Sequence, residues 1–184
     1  MKYSKNNRGI TYLELIIVIT ISTIIVGFST ITIGTVYRNN VGRTADKLYS
    51  VINQTRNNAM TNGSKRGWLT LIYHDNKVYY RIGEKVPYIS SGQYYDSYSD
   101  WNKLCSDPVK IKYGVFDLSE DEPIELAFKQ STGDCLGIYE PEAEATGVTM
   151  GPIIGDYVSF SALKGTNYNS EMLVYKIGGK IERQ

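Results

Sequence analysis

The chain predicts an α+β fold: one long N-terminal helix, with a membrane half and an amphipathic half, packed on an antiparallel β-sheet head domain. Three observations predict it. No charged side chain occurs from Leu15 to Tyr37. From Val41 to Ala59, apolar and small residues recur at alternating spacings of four and three, which is a helical period. From Trp68 onward the period falls to two and turn residues punctuate the runs, as they do between strands. A length of 184 residues suits one modest globular domain in addition to the helix. The expected organisation is a leader over 1–9, a helix over 10–62 and a β-rich head over 63–184. The helix divides into a transmembrane and assembly half (10–37) and an amphipathic half (38–62).

The uncharged run would make roughly 34 Å of helix, enough for a hydrocarbon core of about 30 Å. One carboxylate, Glu14, sits just inside its start, where an ionisable group costs about 2.5–3.5 kcal/mol at mid-bilayer and needs a partner or a function. Ahead of it lies a short basic leader with Lys2, Lys5 and Arg8. An ordinary secretory signal has a shorter apolar core and a small-residue cleavage site downstream, so that reading does not fit. In the second half, Val41, Ala45, Leu48, Ile52, Thr55 and Ala59 share one helical face, while Arg43, Lys47, Gln54 and Asn58 take others. Thr61-Asn62-Gly63 supplies the stop, with Gly63 suited to the left-handed position after a helix. Gly27, Gly34 and Gly42 are places where the helix can bend or admit close neighbours.

A basic leader ending in glycine, then Ile10-Thr11-Tyr12-Leu13-Glu14 and a long apolar helix, closely resembles the N-terminal signature of the type IV pilin and type II secretion pseudopilin family. The resemblance implies cleavage by a prepilin peptidase between Gly9 and Ile10, N-methylation of Ile10, and an assembly role for Glu14 as the fifth residue of the mature chain. Ile10 stands where the family usually has Phe. In such an assembly Glu14 of one subunit would neutralise the free amine of a neighbour, because two charges that are costly alone become tolerable as a pair. The segment from Arg43 to Tyr73 resembles the H-type pseudopilins and FimT-like minor pilins, whose Leu-x(6)-Arg-x-x-Ala pattern is approximated by Leu48, Arg56 and Ala59. The closing LVYKIGGKIER is like their terminal hairpin. Implied partners are other pilin or pseudopilin subunits, the prepilin peptidase, an inner-membrane assembly platform and membrane lipid. The implied localisation is the cell membrane, single-pass, with a cytoplasmic N-terminus before processing, an extracytoplasmic head, and assembly into a surface or periplasmic filament. The implied function is a structural minor pilin or pseudopilin, the alternative being a tip-located binding module for adhesion or DNA uptake.

In the head, Trp68–Tyr73 and Lys77–Ile82 flank His74-Asp75-Asn76 as a hairpin. Val109, Ile111, Tyr113 and Val115 alternate with Lys110 and Lys112. Ile124, Leu126 and Phe128 make the next strand, and a turn at Ser131–Asp134 leads into Cys135–Tyr139. Val158, Phe160 and Ala162 follow. Met172–Ile177 and Lys180–Glu182 flank Gly178-Gly179, a two-residue hairpin signal.

Twenty basic and nineteen acidic side chains nearly balance; without the leader the count is 17 against 19, which argues against a strongly basic nucleic-acid surface. Lys65, Arg66, Lys180 and Arg183 are too sparse to make a phosphate-binding patch, so nucleic acid is not an expected partner. Cys105 and Cys135 could pair in an oxidising compartment or stay as separate thiols; spacing alone does not decide. No catalytic or metal-ligand motif occurs, so no enzyme, metal or cofactor is expected. His74 reads as a turn residue. The acidic runs Glu120-Asp121-Glu122 and Glu140-x-Glu142-x-Glu144 read as solvated loops rather than calcium sites. The stretch Pro87–Trp101 carries Tyr88, Tyr94, Tyr95, Tyr98 and Trp101 among Ser, Gly and Asp. It either folds its aromatics onto the sheet or displays them as a binding loop.

Overall fold

The structure is a computed structural model that describes residues 11–62, 67–85, 101–106, 109–120, 122–139, 153–154, 156–164 and 168–184. Among them are one helix, α1 (Tyr12–Asn62), and eleven strands. In chain order these are β1 (Trp68–His74), β2 (Lys77–Gly83), β3 (Asn102–Ser106), β4 (Lys110–Tyr113), β5 (Phe116–Asp117) and β6 (Ile124–Phe128), followed by β7 (Cys135–Tyr139), β8 (Ile153–Ile154), β9 (Tyr157–Lys164), β10 (Tyr168–Tyr175) and β11 (Ile181–Arg183). They form two antiparallel sheets, one ordered β3-β2-β1-β6-β7 and one ordered β11-β10-β9-β4-β5, with β8 paired to β9.

The expected architecture, a long membrane-and-amphipathic helix laid on one antiparallel sheet, is corrected here. Two sheets, not one, carry the fold, and α1 is not laid along a sheet over its length. The chain divides into two compact units, Met1–Arg38 and Asn39–Gln184. Among the described residues no helix is long and apolar enough to cross a membrane. That finding overturns the transmembrane assignment of 10–37 and the single-pass cell-membrane localisation.

Within the second unit, the helical stripe is buried: Val41, Ala45, Leu48, Ile52, Thr55 and Ala59, joined by Thr44 and Val51. Its apolar members share one core with Leu69, Leu71, Val78, Leu126 and Phe128 of the first sheet, and with Ile111, Val158, Phe160, Met172 and Val174 of the second. Burying each Val, Leu or Ile of that stripe contributes about 1.5–3 kcal/mol relative to exposure. The closest approach comes at the small residues. A Cβ on Gly67 would stand 2.7 Å from the Cβ of Ala59 and 2.9 Å from the carbonyl oxygen of Phe128. Thr55 satisfies its buried hydroxyl by donating to the Val51 carbonyl at 2.8 Å.

The β1–β2 connection is a two-residue turn, with Asp75 at φ 48° and Asn76 at φ 58°. Both are residue types that tolerate the left-handed region, and the twist of such a turn matches the strands it joins. Two expected strands end earlier than their alternation suggests. Gly114 at φ 58° turns the chain after Tyr113, so Val115 lies in the turn, 73% exposed. The β10–β11 connection spans residues 176–179, closed by a bond from the Tyr175 amide to the Lys180 carbonyl, and Ile177 points into solvent. Strand β3 had no alternation to reveal it, since NKLCS is a polar edge strand.

The turn before β7 and the turn before β11 interlock. A Cβ on Gly179 would stand 2.0 Å from the Gly133 carbonyl oxygen and 3.0 Å from Arg56, whereas one on Gly178 would meet nothing within 4 Å. Both glycines have positive φ, which alone costs a substituted residue about 1–2 kcal/mol. Gly179→Ala should therefore lower the thermal midpoint by several degrees more than Gly178→Ala does; equal shifts in paired melts would show that the two turns do not interlock.

Candidate assembly site

The helix start is built by two residues. Thr11 precedes the first turn; its amide donates to Glu14 Oε2 at 2.8 Å, its hydroxyl donates to the same oxygen at 3.0 Å, and the Glu14 amide donates back to the Thr11 hydroxyl at 3.3 Å. This is a reciprocal capping box, Thr-x-x-Glu, which satisfies donors that a helix start leaves without partners. The Thr11 amide, and then its hydroxyl, hold the Glu14 carboxyl below the usual glutamate range. Glu14 thus has a local task within its own chain.

Beyond the cap, Leu15, Ile16, Ile17, Val18 and Ile19 are all exposed, as are Ile21, Ile24, Ile25 and Val26. Successive residues are about 100° apart around a helix, so four consecutive apolar positions cover its whole circumference. The hydroxyls among them turn inward on the helix: Thr20 donates to the Ile16 carbonyl and Thr23 to the Thr20 carbonyl, both at 2.8 Å. Gly27 has open space where a Cβ would stand. The surface is therefore apolar on every side.

Of the other expected site residues, Gly9 and Ile10 lie outside the described residues, as do Tyr88, Tyr94, Tyr95 and Tyr98. Trp101 is half-buried directly before β3. Cys105 and Cys135 are buried thiols on β3 and β7 that are not joined by a disulfide. Those strands are the two opposite edges of a five-stranded sheet, about 19 Å apart at roughly 4.8 Å per strand step, where a disulfide needs Cα atoms within about 7 Å. Of the two alternatives, a disulfide or separate thiols, the structure has the separate thiols. Burial pushes the Cys135 thiol up to about 11. Among the described residues no group of three His, Cys, Asp or Glu could hold a metal ion. Glu120 instead accepts from the Asp75 amide at 3.0 Å; Asp121, Glu140, Glu142 and Glu144 lie outside the described residues. Of the four scattered cations, Lys180 pairs with Glu182 and Arg183 with Asp46, while Lys65 and Arg66 lie outside the described residues.

The structure also explains Arg56 and Ala59, and it adds a feature that local pattern does not disclose. The Arg56 stem runs against Gly133 and Gly179, and its buried Nε has no hydrogen-bond partner. Beside it Asp134 accepts from the Thr132 hydroxyl and from the Gly178 amide, both at 2.6 Å, and these bonds hold its carboxyl below the usual aspartate range. The Cys135 amide donates to the Lys176 carbonyl at 2.9 Å, tying the two sheets at the same corner.

Two outcomes follow from these groups. Asp134 has a lowered folded-state value, so its contribution to stability is present above the ordinary aspartate range and lost as the pH falls through the folded value. Asp134→Asn should flatten the acid limb of a stability-against-pH curve and leave its neutral-to-basic limb parallel to wild type. Neither cysteine should react with a thiol reagent at pH 8 in the native chain, and both should react in denaturant, without prior reduction; a requirement for reductant would restore the disulfide. No family model, curated protein or solved structure matches this chain.

Proposed function

We propose that the chain is a structural subunit of a filament of the minor pilin or pseudopilin kind, assembled through the first half of α1. One observation carries the reading: apolar side chains exposed around the whole circumference of that half, from Leu15 to Val26. A helix apolar on one stripe needs one partner, whereas a helix apolar all round must be enclosed on every side. Copies of the same helix, or of related subunits, enclose it in a bundle. The signature Gly9-Ile10-Thr11-Tyr12-Leu13-Glu14 supports the same reading and brings with it a prepilin peptidase that cuts between Gly9 and Ile10, and an assembly platform as partners. Thr11 and Glu14 both stay on the processed chain, so the capping box survives processing. The second reading, a tip-located binding module, rests on the aromatic stretch Pro87–Trp101, of which all but Trp101 lies outside the described residues.

N-terminal sequencing of the processed chain should begin at Ile10. Glu14 has two tasks to separate, capping its own helix and meeting a charge on a neighbour. Glu14→Gln keeps a capping-box side chain but removes the charge. It should retain the helical circular dichroism of wild type and lose most of its incorporation into sheared, purified filaments. Full incorporation of this variant would leave only the local cap as the role of Glu14. Gly27→Ala adds helix propensity, and its Cβ meets nothing within 4 Å, so reduced incorporation of that variant reports a neighbour at this position.

A further inference from the structure

Asn62 closes α1 and is exposed. Gly63 follows it, and no other asparagine in the chain precedes a glycine. Its neighbour Thr61 is committed to the helix, with its hydroxyl donating to the Asn57 carbonyl at 2.9 Å. The Asn62 carboxamide makes no hydrogen bond among the described residues. The helix is pinned to the first sheet one turn back, where Ala59 meets Gly67. Helix ends fray at almost no cost in free energy, so the backbone of Asn62 is held less firmly than that of Asn57 or Asn58.

We propose that Asn62 is a site of spontaneous deamidation in the folded chain, and that the product weakens the end of α1. The Gly63 backbone nitrogen gives its proton to hydroxide and attacks the side-chain carbonyl carbon of Asn62. A C–N bond forms to the backbone, the C–N bond of the carboxamide breaks, and the leaving nitrogen takes a proton from water and departs as ammonia. The resulting five-membered succinimide adds one water at either of its carbonyls. Opening at one gives aspartate; opening at the other gives isoaspartate, whose main chain runs through the side-chain methylene. Glycine favours ring closure because it carries no Cβ to crowd the attacking nitrogen. Asn57 and Asn58 precede residues that have a Cβ, and both sit at helical φ/ψ, which keeps each side-chain carbon away from the next nitrogen. Either product sets a carboxylate at the C-terminal end of α1, where the helix dipole disfavours negative charge. Isoaspartate also adds an atom to the backbone between α1 and β1. The proposal stands apart from the filament reading, since it concerns only the second unit.

The test holds the full, folded chain at pH 8 for several weeks beside a denatured sample, and maps both by peptide mass spectrometry. In the folded sample the peptide carrying Asn62 should grow heavier by the difference between a hydroxyl and an amino group. Fragmentation should place that gain on Asn62, not on Asn57 or Asn58, and part of the product should accept methyl groups from an isoaspartyl methyltransferase. Conversion should be slower at pH 6, where hydroxide is scarcer. Gly63→Ala should slow it about tenfold or more, through the added Cβ. Aged wild type should melt below fresh wild type, while aged and fresh Gly63→Ala should melt together. If Gly63→Ala does not fold, Asn62→Gln at the same exposed position takes its place, because its longer side chain must close a six-membered ring. Three results would each overturn the modification: an Asn62 that survives in the folded chain while the denatured chain converts, a gain located on another asparagine, or an unchanged rate in the variant. Coincident melts of aged and fresh wild type would overturn the weakening of the helix end.

Discussion

The head depends on the fit between the buried stripe of α1 and the two sheets that share its core. That fit is set at its tightest point by Ala59 and Gly67, where no larger pair can stand. Farther up the stripe the larger Ile52 and Leu48 are fully enclosed. Small Ala45 and Ala59 flank the larger Leu48 and Ile52 along the stripe, and all four are fully buried. Close-packed interiors respond to a single methylene, so this order of side-chain sizes fixes the helix in one register.

Arg56 belongs to the same constraint. Its stem fills the space left by Gly133 and Gly179, two glycines that come from turns in different sheets. Asp134 and the Cys135–Lys176 backbone bond close the corner from the other side. A long amphipathic side chain suits this position because its methylene stem packs against backbone while its head remains polar. The helix, both sheets and two turns therefore meet at one residue, and none of these elements completes that corner without the others.

The first half of α1 obeys a different logic. Its residues carry the same helical conformation, but the apolar side chains from Leu15 to Val26 are exposed. The capping box at Thr11 and Glu14 and the inward-bonded hydroxyls of Thr20 and Thr23 satisfy the polar groups locally. What remains outward is hydrocarbon. Such a surface does not add to the stability of a single chain.

Periodicity made the helix, its buried stripe and the strands β1, β2, β4, β6 and β9 legible, because a residue's face follows from its position along a regular backbone. It also carried Val115 and Ile177 too far, since alternation in the sequence continues where the backbone has already turned, after Gly114 in one case and from Lys176 in the other. Strand β3 left no mark, because its two buried residues, Leu104 and Cys105, are neighbours and give no alternation. Glu14 was legible as an exceptional carboxylate, while its bonding to Thr11 emerged only with the helix start in place. Amino-acid order by itself determined where the chain is helical, where it is extended and which faces are apolar; these are short-range consequences of side-chain spacing. Tertiary structure alone decided that there are two sheets, that Cys105 and Cys135 sit on opposite edges of one, and that Arg56 meets two distant glycines. Strand order and long-range contact depend on how faces are covered in space, and many orders are compatible with the same local pattern.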